Sequence, residues 1–196
     1  MALLLSCVSA LAVAHGGRGA LAKPVVVRPT AVGPRAPQPQ LSLSLIDAGV
    51  SAVTFAPQPL WLLLIAAPDA GITKKLMRPL YPLVALSLVH LTVVALAAST
   101  QDGTAPITIF ADVFDPAQSQ LDGMERLFGY RNFVAEEWPH VLIWDLFVGR
   151  YIWIDAQRRG VGWSGFALTL TNLIGPPGLL LYCLTCVLQG FSFPGG

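Results

Sequence analysis

Asp145, Arg150 and Asp155 stand at five-residue intervals in DLFVGRYIWID, residues 145 to 155, a run otherwise dominated by Trp, Ile, Leu, Phe and Val. Ahead of it lie His140 and Glu136, four residues apart and so stacked on one helix face, with Glu137 beside them. Carboxylates, an imidazole and a guanidinium in apolar surroundings are the materials of proton exchange. Burial raises a carboxyl pKa, which suits Asp145, the deepest of the charges, to give and take a proton. Helical residues turn by about 100° each, so the three charges point near 0°, about 140° and about 280°, staggered over roughly 15 Å. They share no face, which predicts a helix surrounded by protein. Two structural readings stand beside the chemical one. Arg150 and Asp155 also fit boundary residues, the Arg stem reaching toward water, and Asp145 with Arg150 also fits an ion network that braces neighbouring helices. His90, alone in another apolar stretch, reads as a hydrogen-bonded helix contact.

The elements that must position these groups read as membrane helices. Of the 196 residues, 54% are hydrophobic and only 12% charged, with a mean hydropathy of +0.63; soluble domains carry about 25% charged residues. Four stretches approach the roughly 20 apolar residues a spanning helix needs: 46–67, 80–98, 138–155 and 166–188. Pro57 and Pro59 should kink or delay the first, and Gly175-Pro176-Pro177-Gly178 must break the fourth. The loop at 73–79 carries Lys74, Lys75 and Arg78, and the loop at 156–165 carries Arg158 and Arg159. The segment 99–137 is predominantly acidic, with Asp102, Asp112, Asp115, Asp122, Glu125, Glu136 and Glu137. Four spans put the two basic loops on the synthesis side, as the positive-inside rule requires. The expected fold is all-α: a polytopic membrane protein with four transmembrane helices. Leu121, Met124, Leu127 and Phe128 add a short amphipathic helix in the second loop, either lying on the membrane surface or packed as an ordinary loop helix.

Residues 1–40 read as a targeting leader. A signal-like segment, 1–14, ends in Ala12-Val13-Ala14. A transit-like segment, 15–40, is rich in Pro and Gly and holds Lys and Arg without an acid. That order is the one expected of proteins sent to complex algal plastids, and leaves 41–196 as the membrane domain. Cys7 goes with the leader, while Cys183 and Cys186 lie in an apolar helix, where free Cys packs as a small hydrophobe. No basic stripe interleaved with aromatics points to nucleic acid. No Gly-rich phosphate loop, haem Cys motif or His cluster at metal-ligand spacing is present, so neither cofactor nor metal is expected.

EEWPHVLIWDLFVGRYIWIDAQRRG followed by LTLTNLIGPPGLLLY closely resembles the neoxanthin-synthase-like membrane proteins, the family named for abscisic-acid deficiency four. The resemblance covers roughly residues 45 to 190 and is strongest from 136 to 182. Pro139 and Pro177 depart from the family pattern, and a Pro in the first turn of a helix would be tolerated. The resemblance implies a small multi-pass plastid protein, in thylakoid or inner envelope, that converts violaxanthin to neoxanthin. That step is an isomerisation in which an epoxide opens and the polyene end becomes an allene. It needs an acid for the epoxide oxygen and a base for a polyene carbon. On this resemblance Asp145 is one member of the pair and His140 or Glu136 the other. Arg150 then holds a carboxylate charged or stabilises the developing alkoxide. Trp144, Tyr151, Asp155 and Asn172 would contact the xanthophyll. The competing reading is a non-catalytic carotenoid-binding partner or scaffold for a carotenoid-pathway enzyme, docking through 119–137. A homodimer is compatible with either.

Overall fold

The computed structural model describes residues 40–100 and 103–194. Every regular element among them is an α-helix. The leader expected over 1–40 lies outside the described residues except for Gln40, and Asp102 lies outside them too. Helices α1 (Gln40–Phe55) and α2 (Pro57–Ala66) follow one another through Ala56, which keeps helical angles and bonds back to Ala52 at 2.9 Å. Pro57 sits at the start of α2, where a missing N–H costs nothing, so the apolar segment continues through it. A short α3 (Gly71–Met77) leads to α4 (Tyr81–Ala98). The segments Leu41–Ala66 and Tyr81–Ala98 are each long and apolar enough to cross a bilayer, with mean hydropathies of 1.5 and 2.0.

Two small helices, α5 (Ala105–Val113) and α6 (Gln120–Phe128), fill the acidic segment. Ser119 caps α6 by accepting from the Asp122 N–H at 3.2 Å, which satisfies a donor the helix cannot. The 29-residue α7 (Arg131–Arg159) ends on Gly160 in the left-handed conformation, with its N–H bonded to Ala156 at 2.8 Å. At about 1.5 Å per residue α7 is roughly 43 Å long. It begins before the expected 138, so Pro139 falls in its interior and not in its first turn. The expected fourth span is split into α8 (Ser164–Ile174) and α9 (Pro176–Leu188) at Gly175, whose φ of 67° and ψ of −114° belong to glycine.

The long helix is the hub. It packs against α1, α2, α4, α6, α8 and α9, yet Val141, Trp144, Phe147 and Tyr151 leave an exposed stripe down one side. Protein therefore surrounds α7 on most faces and leaves one open. The core joins Trp61 and Leu64 of α2 to Leu146, Ile152 and Trp153 of α7, Leu168 of α8 and Tyr182 of α9. Gly149 lies directly against the Trp61 indole, where even a methyl group would collide with the ring.

Polar ties hold the two ends of the bundle. At one end Arg131 pairs with Asp47 and the Asn132 amide donates to Thr100 at 2.6 Å. At the other, Arg150 donates from Nε to the Met77 carbonyl at 2.7 Å and from Nη2 to the Arg78 carbonyl. The Trp153 indole N–H reaches the Pro68 carbonyl at 3.0 Å. Asp155 Oδ2 accepts from the Tyr182 hydroxyl and from Arg159, each at 2.6 Å. Arg159 continues to the Ser192 carbonyl at 2.8 Å.

Two consequences are measurable. Gly149→Leu overpacks against Trp61 and should cost about 1–3 kcal/mol in detergent unfolding, with Trp61→Leu added in the same chain recovering most of it. Tyr182→Phe removes one partner of a largely buried carboxylate and should cost about 1–3 kcal/mol in the same measurement.

Candidate functional site

Pro139 carries no N–H and cannot bond the carbonyl four residues back, which loosens the turn of α7 around it. In that turn the His90 ring of α4 reaches across and bonds through Nε2 to the Glu136 carbonyl at 3.0 Å. One turn on, His140 lies beside it. The two imidazole rings are parallel within 4°, their centroids 6.3 Å apart. His140 Nδ1 faces a Glu137 carboxylate oxygen at 3.4 Å. Burial, and then the neighbouring Glu137 charge, push the Glu136 carboxyl above its ordinary range.

An aromatic ladder descends from the histidines. Trp144 meets His140 edge to face at 6.4 Å, and Phe147 meets Trp144 in the same way at 5.5 Å. Leu83, Ser87 and His90 of α4 and His140, Ile143, Trp144 and Phe147 of α7 enclose a groove of about 220 Å³. One end is polar and the rest apolar, and Trp144 and Phe147 keep it open to the outside. The spacing i, i+3, i+4, i+7 of its α7 residues is that of a single helix face.

The site residues read from the sequence do not all meet here. His140 and Trp144 line the groove. Glu136 enters through its backbone carbonyl. Asp145 is on another side of α7, half-buried against the break before α9. Its Oδ1 lies 2.7 Å from where a side chain on Gly175 would begin. Asp145 and His140 are therefore not a facing acid–base pair. The Arg150 guanidinium is spent on two backbone carbonyls of the α3–α4 connection, and Asp155 on Tyr182 and Arg159. Tyr151 belongs to the exposed stripe of α7, and Asn172 lies on α8 outside the groove lining. His90 is the hydrogen-bonded helix contact expected of it, bonded to a carbonyl 46 residues away. What the sequence did not show is its place beside His140, because one histidine on a uniformly apolar helix carries no periodic signal. Among the described residues no group of three His, Cys, Asp or Glu side chains is placed to hold a metal ion.

The two motifs of the sequence thus become two contacts. Asp145 of DLFVGR faces Gly175 of GPPG, and Asp155 is bonded to Tyr182. The profile of a family described as ABA DEFICIENT 4-like matches residues 50–182. Protein ABA DEFICIENT 4, chloroplastic, of Arabidopsis thaliana is 27% identical to the chain over 146 residues. That alignment covers 74% of this chain and 62% of the relative, so a little under two thirds of the relative's length is represented. No solved structure matches. With its two charged and broken-helix segments inside the matched region, the chain belongs to the ABA DEFICIENT 4-like family.

Proposed function

We propose that the protein is a plastid membrane protein of four spans that binds an epoxy-carotenoid in the groove between α4 and α7 and isomerises it, as in the conversion of violaxanthin to neoxanthin. The spans are Leu41–Ala66, Tyr81–Ala98, the part of α7 from 138 to 155, and α8 with α9. Only 22% of the most apolar stretch of each of the first two segments is buried within the protein, so most of their surface must find an apolar surrounding. Trp144, Phe147, Leu173, Leu180, Leu184 and Val187 extend that exposed apolar surface over the other two. The break in the fourth span keeps its backbone bonded, Gly175 N–H to Thr171 at 2.9 Å and Gly178 N–H to Gly175 at 3.0 Å, which a bilayer demands. The plastid assignment follows the chloroplastic relative.

One observation carries the catalytic reading: a pair of histidines stands at the polar end of an aromatic-lined groove. A carotenoid end ring brings hydroxyl and epoxide oxygens, and its polyene brings an apolar rod. The groove offers imidazoles to the first and Trp144, Phe147 and Leu83 to the second. The isomerisation needs only proton transfers, each worth about 10²–10⁴-fold to a positioned general acid or base. Asp145, Arg150 and Asp155 serve the bundle in this account.

A second reading, a carotenoid-binding partner that presents its ligand to another enzyme, is favoured by a different observation. Helices α5 and α6 with the residue after α5 leave Ile107, Phe110, Phe114, Leu121 and Phe128 exposed, an apolar face suited to docking.

The assay that separates the readings uses the purified chain in lipid with violaxanthin and chromatography of the pigments. Allenic product from this chain alone is the expected result; violaxanthin recovered bound and unchanged would establish the partner. In the same assay Asp145→Asn should keep turnover within about threefold. Loss of turnover in a folded Asp145→Asn protein would move the proton chemistry to the Gly175 break. For topology, single Cys replacements at Lys75 and Gln157 should react with an impermeant maleimide from one side of the membrane and one at Glu125 from the other.

A further inference from the structure

His90 does more than join two helices. The Glu136 carbonyl can only accept a hydrogen bond, so the proton of a neutral His90 ring resides on Nε2, 3.0 Å from that oxygen. Its Nδ1 then carries the lone pair, and it has no partner among the described residues. His140 has the opposite assignment. The Glu137 carboxylate oxygen lies 3.4 Å from His140 Nδ1 and pairs with that edge of the ring, so that a protonated His140 presents its Nε2–H to the groove. Both rings border the same groove, and their planes are parallel with centroids 6.3 Å apart. Ser87, one turn before His90, adds a hydroxyl with no protein partner among the described residues.

We propose that His90 is the general base of this site and His140, backed by Glu137, the general acid, in place of the Asp145–His140 pair that the fold keeps apart. The proposal rests on the enzyme reading of the groove. His90 Nδ1 removes the proton from the polyene carbon next to the epoxide. The electron pair of that C–H bond becomes the second of two cumulated double bonds, and the adjacent C–O bond of the epoxide breaks. The oxygen, still held on the ring, takes the proton from Nε2 of the His140 imidazolium and becomes a tertiary hydroxyl. His90 ends the step with one proton more and His140 with one fewer, and the site resets when His90 releases a proton and His140 takes one up. Nothing is oxidised or reduced, and substrate and product are isomers.

The test turns on a substitution that preserves the helix contact. In His90→Gln the side-chain amide can still donate to the Glu136 carbonyl, but no basic nitrogen remains. In lipid nanodiscs with violaxanthin as the probe, this variant should bind pigment and unfold within a few degrees of the native chain while turning over about 100-fold or more slower. Turnover within about threefold of the native chain overturns the assignment. A native chain that binds violaxanthin and forms no allene overturns the enzyme reading and the base together, and is told apart because it needs no variant. A measurement independent of turnover is ¹⁵N NMR of the chain labelled at its 3 histidines. His90 should show a protonated Nε2 and an unprotonated Nδ1, with Nδ1 shifting when pigment is added. A proton on Nδ1 in the free protein rules out the base whatever the activity.

Discussion

The bundle turns on how the three charges of α7 at 145, 150 and 155 meet the elements packed around them. Asp155 is answered most fully, by a tyrosine hydroxyl from α9 and by Arg159 one turn along its own helix. That contact fixes the broken α8–α9 segment against the far end of α7. Arg150 is answered by the carbonyls that end α3, where helix geometry leaves them without partners. The same guanidinium thereby terminates a short helix and positions the connection between two longer ones. Asp145 is the exception: it faces the glycine turn, and among the described residues no donor reaches either of its oxygens.

Glycine makes these encounters possible at two points. At 149 it lets the Trp61 ring rest on the backbone of α7, bringing α2 close enough for the core to close. At 175 its left-handed φ turns the chain between α8 and α9, in a conformation that a residue with a Cβ would strain to adopt. The motifs around these glycines read as chemistry in the sequence, yet their geometry is first of all mechanical. An ion pair or a cap within a membrane bundle uses the same side chains as a proton relay, so composition alone does not tell them apart.

That ambiguity explains which parts were legible beforehand. The apolar segments, their order, the basic connections and the break at 175–178 follow from hydropathy and from the backbone chemistry of Pro and Gly, and the helices lie close to where those rules put them. The start of α7 is not legible in the sequence: 119–137 reads as one surface helix leading into a span at 138, with Pro139 in the first turn, whereas the chain ends α6 at Phe128 and begins α7 at Arg131. The candidate groove was half visible. His140 and Trp144 stand out on a charged helix, but their counterpart His90 belongs to a distant segment, and only the crossing of α4 over α7 brings it near. Asp145 stands a five-residue step from His140, which turns the two apart on α7, and the side on which Asp145 emerges faces Gly175 between α8 and α9.

The groove between α4 and α7 opens along the exposed stripe that includes Trp144 and Phe147, not at either end of the bundle. For a protein that spans a bilayer, such an opening faces hydrocarbon. Under the proposed function, a carotenoid dissolved among the acyl chains would arrive sideways and leave the same way, without ever being desolvated from water. The concentration that fills the site is then a mole fraction of pigment in lipid. Dilution of the membrane with pigment-free lipid would empty the site, while a change in aqueous volume would leave its occupancy untouched.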